Sequence, residues 1–308
     1  MLFNRKEPRA IRADFRAALK TDALLRLPGA YAPLIAMAIE RIGFEGVYVS
    51  GAVMANDLGY PDIGLVGLEQ IAARSHQIVR VTKLPVLADV DTGFGESMNF
   101  ARTVQLMEEA GLTGIHLEDQ TNPKRCGHLD NKELVPIETM VRKIEAGLRS
   151  KRDDNFLIMV RSDARGVEGM EHMLRRIKAY EAAGAEAIFP EALQSEKEFA
   201  TVRDNINVPL LANMTEFGKT KLLDAQTLHR LGYNMVIYPV TTQRLALKNV
   251  ITGLETIDKT GSQNSILTTM QTRKELYDLV RYQDYEVFDK DVYNIGVDQL
   301  TTADEKKE

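Results

Sequence analysis

The chain of 308 residues carries one cysteine, Cys126, and no apolar run as long as the roughly 18 residues that a membrane helix needs. A lone cysteine cannot close an internal disulfide, which fits a reducing compartment. The start, "MLFNRKEPRAIRADFRAALK", has no apolar region ahead of a cleavage site. It is basic and somewhat amphipathic, but Glu7, Asp14 and the absence of serine argue against a transit peptide. A cytoplasmic location is expected, with no membrane partner. Positive charge is in deficit as well: 39 basic against 44 acidic residues leave a net charge of −5, which gives no footprint for nucleic acid. An anionic ligand must then be met by locally clustered cations or by a metal.

Four segments share one pattern: "ERIGFEGVYVSG" from Glu40, "EEAGLTGIHLED" from Glu108, "EAAGAEAIFPEA" from Glu181 and "HRLGYNMVIYPV" from His229. Each reads as the end of an amphipathic helix, a glycine suited to the left-handed position past it, and a short apolar strand. Between them lie "KLPVLADVDTG" from Lys83, "NFLIMVRSDA" from Asn155, "NVPLLANMTE" from Asn207 and, more weakly, "RLPGAY" from Arg26. Such near-continuous apolar runs suit parallel strands covered on both faces. Helix-length stretches over Leu68–Thr82, Asn99–Ala110, Ile137–Leu148 and Met170–Ala183 alternate with the strands. Eight such units predict an α/β fold, a (β/α)8 barrel. An open doubly wound sheet is the alternative, though no Gly-rich dinucleotide fingerprint follows the first strand. No linker or low-complexity tract divides the chain, so one domain over 1–308 is expected. It would carry a C-terminal helical extension over about 256–295, with a helix at Ile266–Gln283, and a disordered tail, "TTADEKKE".

In such a barrel the site lies at the C-terminal strand ends. Polar residues fall there on nearly every strand: Tyr48 and Ser50, Asp89 and Asp91, His116 and Glu118, Arg161 and Asp163, Glu191, Asn213 and Thr215, then Arg244. Asp89 and Asp91 at i, i+2 would share a strand face and repel unless a cation sits between them, for which Mg²⁺ with several waters is the economical choice. A turn whose aspartates bond backbone amides is the competing reading. Glu118 and Asp119 could bind metal-bound waters or pair with a strand-end cation. Arg161, Arg244 and Arg273 could each fork onto a substrate carboxylate, though a single arginine is more often a structural cation. His116 and Tyr48 can equally be barrel core residues. In "QTNPKRCGHLDNKELVP", Lys124, Arg125 and His128 would lower the thiol pKa of Cys126, and Gly127 would give a mobile lid its hinge.

On "KRCGH" (Lys124 to His128) the chain resembles the isocitrate lyase and phosphoenolpyruvate mutase superfamily, and within it the 2-methylisocitrate lyases. "YVSG", "LGYPD", "DVDTGFG", "HLEDQ", "RSDA", "FPEA", "NMTEFG", "YPV" and "MQTR" follow in the family's order, over about residues 5 to 295. The resemblance implies a barrel whose terminal helix is exchanged between subunits of a homotetramer. It implies dependence on Mg²⁺, with Mn²⁺ as a substitute, and cleavage of (2S,3R)-2-methylisocitrate to pyruvate and succinate in the methylcitrate cycle of propionate breakdown. It implies metal binding by Asp89 and Asp91, with Asp62 and Glu118 nearby. Substrate would touch Ser50, Gly51, Ala52, Cys126, Gly127, Arg161, Glu191, Asn213, Met214, Thr215, Arg244 and Arg273. Cys126 would donate a proton, Tyr48 would be the base, and Lys124 and His128 would assist. Ala52 departs from the family's second glycine, and "RSDA" from "RTDA". The rivals are isocitrate lyase, which usually carries a large extra segment that 308 residues cannot hold, and dimethylmalate- or oxaloacetate-cleaving relatives. A catalytically idle barrel would be expected to lack some of these positions.

Overall fold

The computed structural model describes residues 6–129 and 131–292. Eight short strands run β1 Leu25–Pro28, β2 Val47–Val49, β3 Val86–Asp89, β4 Gly114–Glu118, β5 Leu157–Ser162, β6 Ala187–Pro190, β7 Leu211–Asn213 and β8 Met235–Tyr238. All pair in parallel, in the orders β2-β3-β4-β5-β6 and β1-β8-β7. Two single bridges, Gly29 with Tyr48 and Ile188 with Leu210, join these sets at both edges, so the ring of eight closes. The chain is a (β/α)8 barrel, and the open-sheet alternative is set aside.

Helices α1 Pro8–Ala18, α2 Pro33–Ile42, α3 Gly51–Asp57, α4 Leu68–Val79, α5 Ser97–Glu109 and α6 Ile137–Ser150 are followed by α7 Ala164–Val167, α8 Met170–Ala182, α9 Glu196–Asn205, α10 Ala225–Arg230, α11 Thr241–Thr260 and α12 Arg273–Leu279. The glycine joints behave as the sequence predicts at Gly43, whose φ of 94° ends α2 in the left-handed region and turns the chain toward β2.

Strand periodicity divides the core in two. Val47, Val49, Val86, Ala88, Ile115, Ile158, Val160 and Ile188 face outward and pack under the helices. Leu25, Leu27, Tyr48, Leu87, Leu157, Met159, Phe189, Leu211, Met235 and Ile237 fill the barrel interior, as layers of bulky side chains do in this architecture. Phe15 and Leu19, on and just past α1, join that interior cluster. The basic N-terminal segment is therefore a plug for the bottom of the barrel. Its Arg12 donates from Nε to the Leu112 carbonyl and from Nη2 to the Glu108 carbonyl, and pairs with Asp153 at 3.1 Å.

Two compact units divide the chain, up to Leu247 and from Lys248. The single helix expected over Ile266–Gln283 is not formed. A 3₁₀ turn over Asn264–Thr269 comes first, and Thr272 with Glu275 then builds a reciprocal capping box that starts α12 afresh. Arg281, with a φ of 56°, interrupts again before a helical stretch over 282–292. The tail "TTADEKKE" and residues 293–295 lie outside the described residues.

Phe15→Ala would open a cavity under the lowest interior layer. We expect unfolding in urea to show a loss of about 3 kcal/mol; a loss below about 1 kcal/mol would mean that the plug does not close the core.

Candidate active site

The parity that turns Leu157 and Met159 inward turns Arg161 inward one layer higher, and likewise raises His116, Glu118 and Asp89 above the apolar layers. Arg161 is buried at the centre of this upper layer. Its Nε lies 3.4 Å from Glu118 and 2.9 Å from Asp163, and its Nη2 lies 3.2 Å from Glu191, while Phe189 offers its ring face at 5.1 Å. Burial alone would disfavour that charge, but the carboxylates of Asp163, Glu191 and Glu118 hold its pKa well above the usual range. Burial likewise pushes Glu191 upward, yet Arg161 and His128 hold it well below the ordinary carboxylate range. Asn213 donates from Nδ2 to Glu191 at 3.2 Å and accepts from the Thr215 amide at 3.1 Å.

Asp89 and Asp91 meet through a turn, not through a shared strand face. Asp89 ends β3, and Asp91 adopts a φ of 46°, which brings its amide to Asp89 Oδ1 at 2.9 Å. The competing turn reading thus holds for the backbone. Asp89 Oδ2 also accepts from the Gly51 amide at 3.3 Å, where β2 leads through Ser50 into α3. A Cβ on Gly51 would sit 3.0 Å from Asp89 Oδ2 and 3.0 Å from Asp91 Oδ1, so the glycine floors a cradle between the two carboxylates. Lys124 is the cation among these acids, paired with Asp62 and, at 2.8 Å, with Asp91. Burial and the neighbouring Asp89 raise the Asp91 pKa to about 6 against the pull of Lys124.

These donors suit a hard divalent ion. Glu118 Oε1 is buried without a hydrogen-bond partner, Asp91 Oδ1 has only the Lys124 ammonium, and every donor is an oxygen. Among the described residues no three His, Cys, Asp or Glu side chains gather as a ready-made ligand set, so the protein would supply few ligands and the ion would keep waters. Asp119 is not one of them. It turns into the helix layer, accepting from Ser162 Oγ at 2.7 Å, Tyr180 at 2.9 Å and the Asp163 amide at 2.9 Å.

The Tyr48 hydroxyl lies 2.6 Å from His116 Nε2, and His116 Nδ1 lies 3.7 Å from Asp89. Burial lowers the His116 pKa to about 4, so the ring is neutral near pH 7. Burial also drives the Tyr48 pKa well up, which leaves the phenol protonated until a partner takes its hydrogen.

The loop over 119–129 and 131–136, expected to act as a lid, touches this layer through Lys124, Gly127, His128 and Lys132. Gln120 clamps the Arg125 backbone on both sides, accepting from its amide at 2.9 Å and donating to its carbonyl at 2.8 Å. His128 accepts the Lys219 amide on Nδ1 at 3.0 Å, which puts its hydrogen on Nε2, 3.1 Å from Glu191. Gly127 allows a close approach: a Cβ there would clash with Arg161 Nη2 and would sit 2.6 Å from Glu191 Cγ.

Contrary to the sequence expectation, the thiol pKa of Cys126 is raised. Burial is the main cause, with Asp62 and Glu191 adding to it against the His128 amide and Arg161. The neighbouring cations do not reach the sulfur's balance, because Lys124 faces Asp62 and Asp91, Arg125 is exposed, and His128 faces Glu191.

Three further residues are expected to touch substrate. Met214 sends its side chain into the outer core and accepts the Leu223 amide on sulfur at 3.2 Å. Arg244 is half exposed, pairs with Glu216 at 2.9 Å and stacks on Phe217. Arg273 belongs to the second unit, where it opens α12. Sequence reasoning passed over Lys132, which is buried and pairs with Asp163 at 2.8 Å; in a polar loop, nothing separates it from a solvated lysine.

So many buried charges at the open end of a closed barrel, under a lid that bears a thiol, belong to an enzyme acting on small anions. The family model described as phosphoenolpyruvate phosphomutase matches residues 15–258. "Probable 2-methylisocitrate lyase 2" of Corynebacterium glutamicum is 54% identical over 291 residues, covering 94% of this chain and 95% of that one. A crystal structure of 2,3-dimethylmalate lyase superposes with a TM-score of 0.86 at 28% identity, covering 94% and 96% of the two chains. Phosphonopyruvate hydrolase in complex with oxalate and Mg²⁺ gives 0.82 at 27%, covering 92% and 98%. The chain belongs to the phosphoenolpyruvate phosphomutase family and, within it, to the 2-methylisocitrate lyases.

A raised thiol pKa slows alkylation, since the thiolate is the nucleophile. At pH 8 we expect iodoacetamide to modify Cys126 at least about fivefold more slowly than free cysteine; an equal or faster rate would show that the sulfur rests as thiolate.

Proposed function

We propose that the chain cleaves (2S,3R)-2-methylisocitrate to pyruvate and succinate, as the methylcitrate cycle of propionate breakdown requires. The observation that carries this reading is Cys126, a thiol kept protonated on a lid pressed against the buried Arg161. A carbanion protonated there needs a nearby acid that is not ionised.

The substrate brings three carboxylates to a layer where Asp89, Asp91, Glu118, Asp163 and Glu191 already outnumber Lys124, Lys132 and Arg161. A divalent ion would offset the excess of two acidic groups over the cations of this layer. Mg²⁺, or Mn²⁺, would be held by Asp89 and Asp91, with Asp62 and Glu118 reaching its waters. It would supply a Lewis acid for the hydroxyl and the adjoining carboxylate.

Tyr48 then takes the hydroxyl proton while its own hydrogen passes to His116 Nε2, 2.6 Å away. The freed oxygen pair closes the carbonyl of pyruvate. The pair from the broken carbon–carbon bond stays on the succinate half as an aci-carboxylate, which Arg161 and His128 stabilise. Cys126 gives its proton to that carbon, and the proton held at Tyr48 and His116 restores the thiol before the next turnover. Ser50, Gly51, Ala52, Asn213 and Thr215 line the substrate's other side, and Arg244 binds one of its remaining carboxylates.

The assay is cleavage of 2-methylisocitrate, isocitrate, dimethylmalate and oxaloacetate, each with Mg²⁺ and after chelation. We expect 2-methylisocitrate to lead by at least about tenfold in kcat/KM, or about 1.4 kcal/mol, and chelation to abolish turnover. Cys126→Ser should keep substrate affinity and lose about 100-fold or more in kcat. A lead for isocitrate or oxaloacetate, or near-normal turnover of Cys126→Ser, would overturn the assignment.

The second unit supports a homotetramer with exchanged C-terminal helices. Val250, Ile251, Leu254, Ile257, Leu267 and Tyr277 all lie exposed in it, and α11 buries no residue. Light scattering should give about four times the 34.5 kDa chain mass, and a monomer would refute the exchange.

A further inference from the structure

Two buried lysines on the lid flank the thiol. Lys124 reaches toward Asp62 and Asp91 on one side, and Lys132 reaches toward Asp163 on the other. The second contact is the more enclosed: the side chain of Lys132 is 1% exposed and that of Asp163 is 0% exposed. An ammonium in such surroundings is tolerated only with a partner, so the closed lid requires this pair.

Asp163 is shared. Its Oδ1 receives Lys132 at 2.8 Å and Arg161 Nη2 at 3.2 Å, and its Oδ2 receives Arg161 Nε at 2.9 Å. The other acceptor of Lys132 Nζ is the carbonyl of Gly127, the residue directly after Cys126. The same glycine would bring a Cβ within 2.9 Å of Asp163 Oδ1, so lid and pocket touch at this point without room for a side chain. One ammonium thus ties the peptide beside the thiol to the carboxylate that fixes the pocket arginine. Lysine and glycine share the loop, whereas Asp163 and Arg161 share the end of β5, so Lys132 is the tie between the two.

We infer that Lys132 is a positioning residue, a latch that seats the Cys126 peptide over Arg161 through Asp163 and the Gly127 carbonyl. It acts through the lid and does not touch the reacting atoms. The inference builds on the proposed lyase reading only for its kinetic arm.

Because Cys126 is the sole cysteine, its alkylation reports lid seating without any substrate. In Lys132→Met, which keeps the stem and removes the charge, we expect iodoacetamide to react at least about fivefold faster than with the native chain at pH 8, with the melting temperature unchanged. With 2-methylisocitrate, kcat should fall about 30-fold or more while KM moves less than about threefold, and Lys132→Arg should recover part of both losses. Should Lys132→Met not fold, Lys132→Gln takes the same comparison. An alkylation rate within about twofold of the native one in a folded variant would overturn the latch, whatever the chain cleaves. Faster alkylation without any cleavage of 2-methylisocitrate by the native chain would leave the latch standing and sink the lyase reading.

Discussion

Arg161 is the constraint around which the site is arranged. A guanidinium sealed inside a barrel must be surrounded by carboxylates, and three strands supply them: Glu118 from β4, Asp163 just past β5 and Glu191 just past β6. Each carboxylate then recruits something else. Asp163 takes a lysine from the lid, Glu191 takes His128 and Asn213, and Glu118 keeps one oxygen without a partner. A layer that is stable only when complete is also preorganised, because its donors have little freedom to rearrange when an anion arrives.

The acidic side follows a different logic. Asp62, Asp89 and Asp91 are brought together by loops and by one left-handed backbone turn, with Lys124 as the cation between two of them. Their mutual repulsion is stored in the fold and offset locally by a single ammonium. Glu118 joins the two halves, since it pairs with Arg161 and keeps a second oxygen unpartnered.

The barrel was legible in the chain because its strands are apolar on both faces and its glycine joints recur; Gly43 ends its helix in the conformation that such a joint needs. Tyr48, Asp89, His116, Glu118 and Arg161 were legible for a related reason, since strand parity fixes which side chains point inward. What the chain concealed depends on partners distant in sequence. The thiol of Cys126 reads as activated beside Lys124, Arg125 and His128, but each of those cations is turned elsewhere by an acid or by solvent. Lys132 gives no local sign of burial, since Asp163 lies 31 positions away. The break before α12 did have a local sign, the Thr272 to Glu275 capping box, which an apolar period running across it obscured.

The helix that stoppers the barrel has a consequence for traffic. With Phe15 and Leu19 filling the end opposite the chemistry, and layers of leucine, methionine and phenylalanine between, the described residues close the barrel from below. A ligand of the upper layer therefore arrives from the side of the loop that carries Cys126, and the bottom of the barrel offers it no second route through that packed core.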